Sequence, residues 1–217
     1  MPRHLERDLN SLSKELLTMG AMVEEATNKA LGAFLQRRKD LAREVIHGDR
    51  AINERENRIE EECLKVLALH QPVATDLRFI ITAMKVNNDL ERMGDLAVNI
   101  AERADRLSEL EPIPVPKMLN QLISDVQAMV RDSLNSLVKM DAQLARKVCT
   151  VDDEVDEINR NMYSSMQDLM RADPSTIERA VNTLSVSRHL ERMADLCTNV
   201  AEDVIFLVQG EIVRHNL

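Results

Sequence analysis

Residues Leu190 to Glu202 read Leu-Glu-Arg-Met-Ala-Asp-Leu-Cys-Thr-Asn-Val-Ala-Glu, and residues Leu90 to Glu102 read Leu-Glu-Arg-Met-Gly-Asp-Leu-Ala-Val-Asn-Ile-Ala-Glu. Nine of the thirteen positions are identical at a constant offset of 100, which pairs Glu91 with Glu191 and Asp95 with Asp195. Self-similarity at a fixed period means that the chain is built from two copies of one unit. Within the first copy Leu90, Met93, Ala97, Ile100, Ala104 and Leu107 step by three and four, as do Leu190, Met193, Cys197 and Val200 in the second. That spacing is one apolar face of an α-helix.

Working outward, Leu9, Leu12, Leu16, Met19, Met22, Val23, Ala26, Ala30 and Leu31 keep the same period and predict a helix over Leu5 to Leu35. The cluster Gln36-Arg-Arg-Lys-Asp40 puts basic side chains where a helix C-terminus favours them, and the period restarts through Leu41, Val45, Ile52, Ile59, Cys63 and Val66. Gln71-Pro72 ends this second helix, and Pro72 suits the first turn of a third that runs to about Leu110. Glu111-Pro-Ile-Pro-Val-Pro116 is a stiff extended linker. Beyond it three more helices are expected: Lys117 to Lys139, Ala142 to Arg171, and Pro174 to Gly210. Leu41-Ala-Arg-Glu-Val45 matches Leu144-Ala-Arg-Lys-Val148 at an offset of 103, pairing Asp49 with Asp152 and Asn53 with Asp156. The expected fold is all-α: two tandem, similar three-helix bundles of antiparallel, spectrin-repeat-like helices over 1–110 and 117–217, joined by the linker 111–116.

Composition agrees. Phe34, Phe79, Tyr163 and Phe206 are the only aromatic residues, glycine occurs five times, and the 217 residues suffice for a sizeable core. A net charge of −9 speaks against a nucleic-acid binder, which needs a basic footprint. Cys63, Cys149 and Cys197 lack Cys-x-x-Cys spacing and sit within helical patterns, so they read as small core residues in a reducing compartment rather than as a disulfide. Met1 to Leu16 shows no basic-then-apolar leader, and no apolar run reaches the roughly 18 residues of a membrane span. The expectation is a cytoplasmic chain without a transmembrane segment.

The chemistry-bearing pattern is acidic. Glu91 and Asp95 each follow a core residue by one position, about 100° around the helix, and so stand at the margin of the buried stripe with Asn99 and Glu102; Glu191 and Asp195 repeat this. The second helices carry matching rows, Asp49, Asn53, Glu56 and Glu60 in one copy and Asp152, Asp156 and Asn159 in the other. Packed helices lie roughly 8–10 Å apart, so the two rows of each copy can face one another. Such rows repel, and either a hard multivalent cation such as Fe, Mn, Mg or Ca offsets the repulsion, or Lys85, Arg92, Arg103, Arg192 and solvent do. An isolated Glu-x-x-x-Asp is usually a solvated helix face; its duplication beside a duplicated core stripe is what raises the metal reading.

Other chemistries find little support. Glu44-Val-Ile-His47 matches half of a di-iron carboxylate motif, but the second copy has Lys147 and Thr150 there. His189 corresponds to Asp89, and His4, His47, His70 and His215 have no partner spacing. No phosphate-binding glycine loop, nucleophile elbow or Cys/His couple is present. The many methionines fall mostly at core spacing and read as packing, with a partner groove as the lesser alternative.

Together Met19-Gly20, Gly48-Asp49 with Asn53 and Glu56, Gln71-Pro-Val-Ala-Thr-Asp-Leu-Arg78 and the two Leu-Glu-Arg-Met-x-Asp cores resemble the PhoU family of phosphate-transport accessory and regulatory proteins over nearly the whole chain. The resemblance implies two three-helix bundles and a Glu/Asp-x-x-x-Asp motif that in some members holds multinuclear iron or zinc clusters. Carried over by position, that motif falls on Glu91 with Asp95 and Glu191 with Asp195, and the companion row on Asp49 with Asn53 and Asp152 with Asp156; Glu56 compensates for the uncharged Asn53. The resemblance further implies no enzymatic activity. Its implied role is to link the ATPase component of a phosphate ABC transporter to a sensor histidine kinase, keeping the phosphate-starvation response off when phosphate is ample. It places the chain near the inner face of the membrane through these partners and is compatible with a homodimer. The residues alone leave two alternatives open, a carboxylate-bridged metal-dependent enzyme and a metal-free helical scaffold.

Overall fold

The computed structural model describes residues 3–211 and 213; His215 and the extreme chain ends lie outside them. The described residues form six α-helices, α1 (Arg3–Gln36), α2 (Lys39–His70), α3 (Ala74–Ser108), α4 (Met118–Lys139), α5 (Ala142–Ala172) and α6 (Ile177–Gln209), with a 3-10 turn at Pro174–Thr176. No strand occurs among the described residues. The helices α1, α2 and α3 pack on one another, as do α4, α5 and α6, and α3 lies against α6.

The expected boundaries need two corrections. Pro72 does not open α3: Gln71 closes α2 in the left-handed region (φ 45°), Val73 is the N-cap and the helix begins at Ala74. Two residues are spent turning the corner, and the Pro72 ring is buried in it. The basic cluster after α1 does not cap α1 either. The Arg37 guanidinium crosses to the end of α3, donating to the Leu107 carbonyl at 2.7 Å and to that of Leu110, while Lys39 reaches Glu109. The α4–α5 corner solves the same problem locally: Asp141 accepts from the amides of Gln143 and Leu144 at 2.9 and 3.0 Å, an N-cap worth about 1 kcal/mol.

Burial separates the helices into two kinds. Six residues of α2 and six of α5 are buried, against fifteen in α3 and sixteen in α6. The outer helices bury a single stripe; α3 and α6 are covered on one side by their own bundle and on the other by each other. Leu96 and Leu196, which a one-stripe reading leaves at the surface, are therefore buried at 6% and 4% exposure. Each such side chain contributes about 1.5–3 kcal/mol. All three cysteines are reduced, with Cys63 and Cys197 buried, and burial first pushes their thiols up to about 12.

Between α3 and α6 the pairs run in opposite directions. Lys85 meets Asp203 at 3.1 Å near one end, and Arg106 meets Glu178 near the other. With the offset of 100 between copies, this antiparallel register relates the halves by an approximate two-fold axis passing close to Asp95 and Asp195. A second contact joins α1 to α4, where a Cβ on Gly20 would stand 2.7 Å from Leu134 Cδ2. The tip of Leu134 fills the space that a side chain at Gly20 would take, so a larger residue there would have to push that tip aside. The segment 109–117 is non-helical apart from its turns, and Ile113 packs against the common core.

Candidate cation-binding faces

In each half the acidic rows face each other as the spacing predicts. Glu91 and Asp95 project from α3, Asp49, Asn53 and Glu56 from α2; Glu191 and Asp195 project from α6, Asp152 and Asp156 from α5. Asp95 and Asp195 are exposed and the other seven half-buried. The position one residue past the core stripe puts each carboxyl where its helix leaves the neighbouring helix for solvent.

Proximity shows in the acidities. The Glu91 carboxyl is raised above its usual range by burial, then by the charges of Asp95, Glu56 and Asp49. Asp95 is raised by burial and then by Asp49, and Glu56 by burial and then by Glu60. In the second half burial, then Asp195, Asp156 and Asp153, push Asp152 up to about 6. Glu191 and Asp195 are raised as well, each by burial first and by Asp156 among the charges. Like charges held together at the edge of a low-dielectric region disfavour the ionised form.

The basic residues within reach of these rows mostly pair elsewhere. Lys85 pairs with Asp203, Arg92 with Asp89 at 3.9 Å, and Arg103 with Glu102 at 3.8 Å. Among the described residues Glu91, Asp95, Glu191, Asp195, Asp49 and Asp152 form no ion pair; Asp156 has Arg160 at 3.8 Å. In the first half Asn53 does part of a cation's work, its Nδ2 donating to Asp49 Oδ2 at 2.9 Å. The remaining oxygens, Asp49 Oδ1 and Asn53 Oδ1, are buried without a hydrogen-bond partner. Polar atoms in that condition are uncommon and suit a cation or its water. Among the described residues, no three of His, Cys, Asp and Glu converge in a ready-made metal cage.

Polar bonds lock the two rows in place. Asn87 Nδ2 on α3 donates to the Glu56 carbonyl on α2 at 3.0 Å, and at the corresponding place Ser187 Oγ on α6 donates to Asn159 Oδ1 on α5 at 2.7 Å. His47 spends Nδ1 on the Arg43 carbonyl at 2.6 Å and Glu44 pairs with Lys29 at 3.3 Å, so the Glu-x-x-His pair does not act as a unit.

One feature escapes a helix-by-helix reading. Arg92, Asp95, Leu96 and Asn99 and their counterparts Arg192, Asp195, Leu196 and Asn199 line one groove of about 280 Å3 between α3 and α6. The two acidic faces are thus back to back across a shared floor. All four groove positions are identical in both copies. That identity at polar sites, where packing does not demand it, was the available signal.

A family profile described as "PhoU domain" matches residues 16–104 and 119–204. The phosphate-specific transport system accessory protein PhoU homolog of Aquifex aeolicus is 42% identical over 97% of this chain and 96% of its own length. Among solved structures, the crystal structure of PhoU from Pseudomonas aeruginosa superposes with a TM-score of 0.92 at 38% identity, covering 95% of this chain and 99% of that one. The phosphate transport system regulatory protein PhoU from Streptococcus pneumoniae gives 0.88 at 31% identity, over 96% and 99%. Two profile matches falling on the two sequence repeats, with relatives well above 30% identity along nearly the full length, establish that this chain belongs to the PhoU family.

Proposed function

We propose that the protein is a regulatory accessory of a phosphate transport system: a non-enzymatic adaptor in the cytoplasm that links the transporter's ATPase to a sensor histidine kinase and restrains the phosphate-starvation response. The observation that carries this reading is the full-length likeness to proteins named for that accessory and regulatory role. The molecule's own features are compatible with it. Its chemistry-bearing groups are carboxylates on long rigid helices, none coupled to a dedicated general base, and no helix among the described residues is long and apolar enough to cross a membrane. Deleting the gene in its host and assaying alkaline phosphatase in high phosphate tests the role. Derepression is expected; unchanged repression would overturn the adaptor reading.

The acidic faces fit a hard cation. Their donors are all oxygens, their carboxyls are raised by burial and then by neighbouring carboxylate charge, and two buried oxygens on α2 lack partners. Glu91, Asp95, Asp49, Asn53 and Glu56 would hold it on one half, Glu191, Asp195, Asp152 and Asp156 on the other. This donor set favours iron over thiolate-bound zinc. Bound there, a cation supplies charge neutralisation that fixes α2 against α3 and α5 against α6. Metal analysis of protein reconstituted with iron, zinc or manganese separates this from a solvated scaffold: stoichiometric metal is expected, and metal-free protein rules the sites out.

A further inference from the structure

The approximate two-fold axis lays two shoulders of the α3/α6 face side by side for comparison, and they differ in charge. On one shoulder every cation has an acid: Lys85 lies at 3.1 Å from the buried Asp203, and Arg92 at 3.9 Å from Asp89. On the other shoulder the offset of 100 places Arg103 where Asp203 was and His189 where Asp89 was, while Arg188 stands in the position of Asn88. The acids have been exchanged for bases and Arg192 remains. Among the described residues neither Arg188 nor Arg192 has an ion pair or hydrogen bond, and Arg103 touches only its neighbour Glu102 at 3.8 Å. Arg103 Nε and His189 Nδ1 are both buried and without a hydrogen-bond partner. Glu191 feels the charges of Arg188 and Arg192 and Asp195 that of Arg192, but neither acid forms an ion pair with them.

We propose that Arg103, Arg188, His189 and Arg192 form a binding site for a phosphate-type oxyanion, taken up as the free inorganic ion. Burial and then the charges of Arg103, Arg192 and Arg188 lower the basicity of His189, so three guanidiniums from two helices of different bundles stand about one imidazole ring. Guanidinium forks match the oxygens of a tetrahedral dianion. An unpaired basic cluster is anomalous on a chain of net charge −9, and an anion supplies the acid that the repeat has lost. Because the donors come from both α3 and α6, an occupied site ties the two bundles together, giving a transport accessory a direct response to its cargo. The choice of phosphate rests on the proposed function; the vacated acid positions do not.

The test is calorimetric titration of the full-length chain, first stripped with EDTA, with inorganic phosphate. Saturable binding with a Kd in the millimolar range or below is expected, weakened at least tenfold in Arg188→Ala/Arg192→Ala and within twofold of wild type in Arg92→Ala, its counterpart on the paired shoulder. Both Arg188 and Arg192 are exposed, and circular dichroism verifies that the variant keeps its fold. Sulfate is expected to compete, since the cluster reads charge and tetrahedral oxygens. No saturation by roughly 10 mM phosphate, equal losses in both variants, or binding that requires added metal would each overturn the site. A phosphoserine peptide binding ten times more tightly than the free ion would assign the cluster to a phosphorylated partner and overturn the free-ion reading. A protein that still represses alkaline phosphatase but fails these titrations retains its proposed function and loses only this site.

Discussion

The two acidic faces are copies that have come to differ at two positions of their outer helices, Asn53 against Asp156 and Glu56 against Asn159. In the first half the Asn53 amide donates to Asp49 and absorbs part of the repulsion inside the protein. In the second half the same position is a carboxylate, and burial, then the charges of Asp195 and Asp156, push Asp152 up to about 6. One amide-for-acid exchange thus converts an electrostatic strain into a hydrogen bond. Each face carries four acids, Glu56 making up for the missing carboxyl at Asn53, but only the first has an amide bonded to its aspartate, so the second has more to gain from a cation.

The sharpest break of this comparison removes the paired acids on one half at a time. Glu191→Ala/Asp195→Ala should cost the second face at least 100-fold in cation affinity, about 2.7 kcal/mol, while leaving the first face intact. Glu91→Ala/Asp95→Ala should do the reverse, and wild type should load the second face first. Titration of stripped protein with iron or manganese, with stoichiometry followed by metal analysis, reads both outcomes. Loss of both sites in either variant would show that the shared groove, not each face, is the binding unit.

A smaller effect concerns the protein without metal. Asp152 holds its proton more tightly when folded, near 6, than its ordinary 3.8, so deprotonation opposes folding. The penalty is fully present above pH 6, fades as pH falls through 6 toward 4, and is absent below. Stripped protein should therefore melt higher at pH 5.5 than at pH 7.5 as far as this group governs. Asp152→Asn should raise stability at pH 7.5 by about 1 kcal/mol, after allowing for the solvent that screens a half-exposed group. Thermal melts at the two pH values check it. A destabilised Asp152→Asn protein would mean that Asp152 makes a contact worth more than its charge costs.

How far all this was legible in the sequence depends on which forces decide each feature. Leu90, Met93, Ala97 and Ile100 announce their helix because burial on one face leaves a period in the chain, and the rows at Glu91 and Asp95 follow from one step of rotation. The facing of α2 against α3 followed too, because short corners leave antiparallel neighbours. Arg37 sits in sequence just past α1 but serves the end of α3, since a long side chain reaches any carbonyl that the fold presents. Leu96 and Leu196 were left out of the core because their burial comes from the other bundle, and periodicity within a helix does not report which of its faces meets a second domain. The common groove was hidden for the same reason. Only the matching identity of Arg92, Asp95 and Asn99 with Arg192, Asp195 and Asn199 hinted at it.

The finest probe of the comparison gives the first face the carboxylate that the second has, while Glu56 stays where the second has Asn159. Asn53→Asp replaces the donor to Asp49 with a carboxylate, so the stripped variant should lose about 0.5–1 kcal/mol at pH 7.5, comprising one exposed-edge hydrogen bond and a like-charge pair at i, i+4. Its melting temperature should then recover as pH is lowered, as Asp152 makes the second half do, because the added carboxyl would be raised by the same neighbours. With metal the order should invert: the variant's first face, with a fifth acid, should bind a cation more tightly than the wild-type first face. If Asn53→Asp neither destabilises the stripped protein nor tightens cation binding, the orphaned oxygens of Asp49 and Asn53 are served by water, and the difference between the halves has no electrostatic consequence.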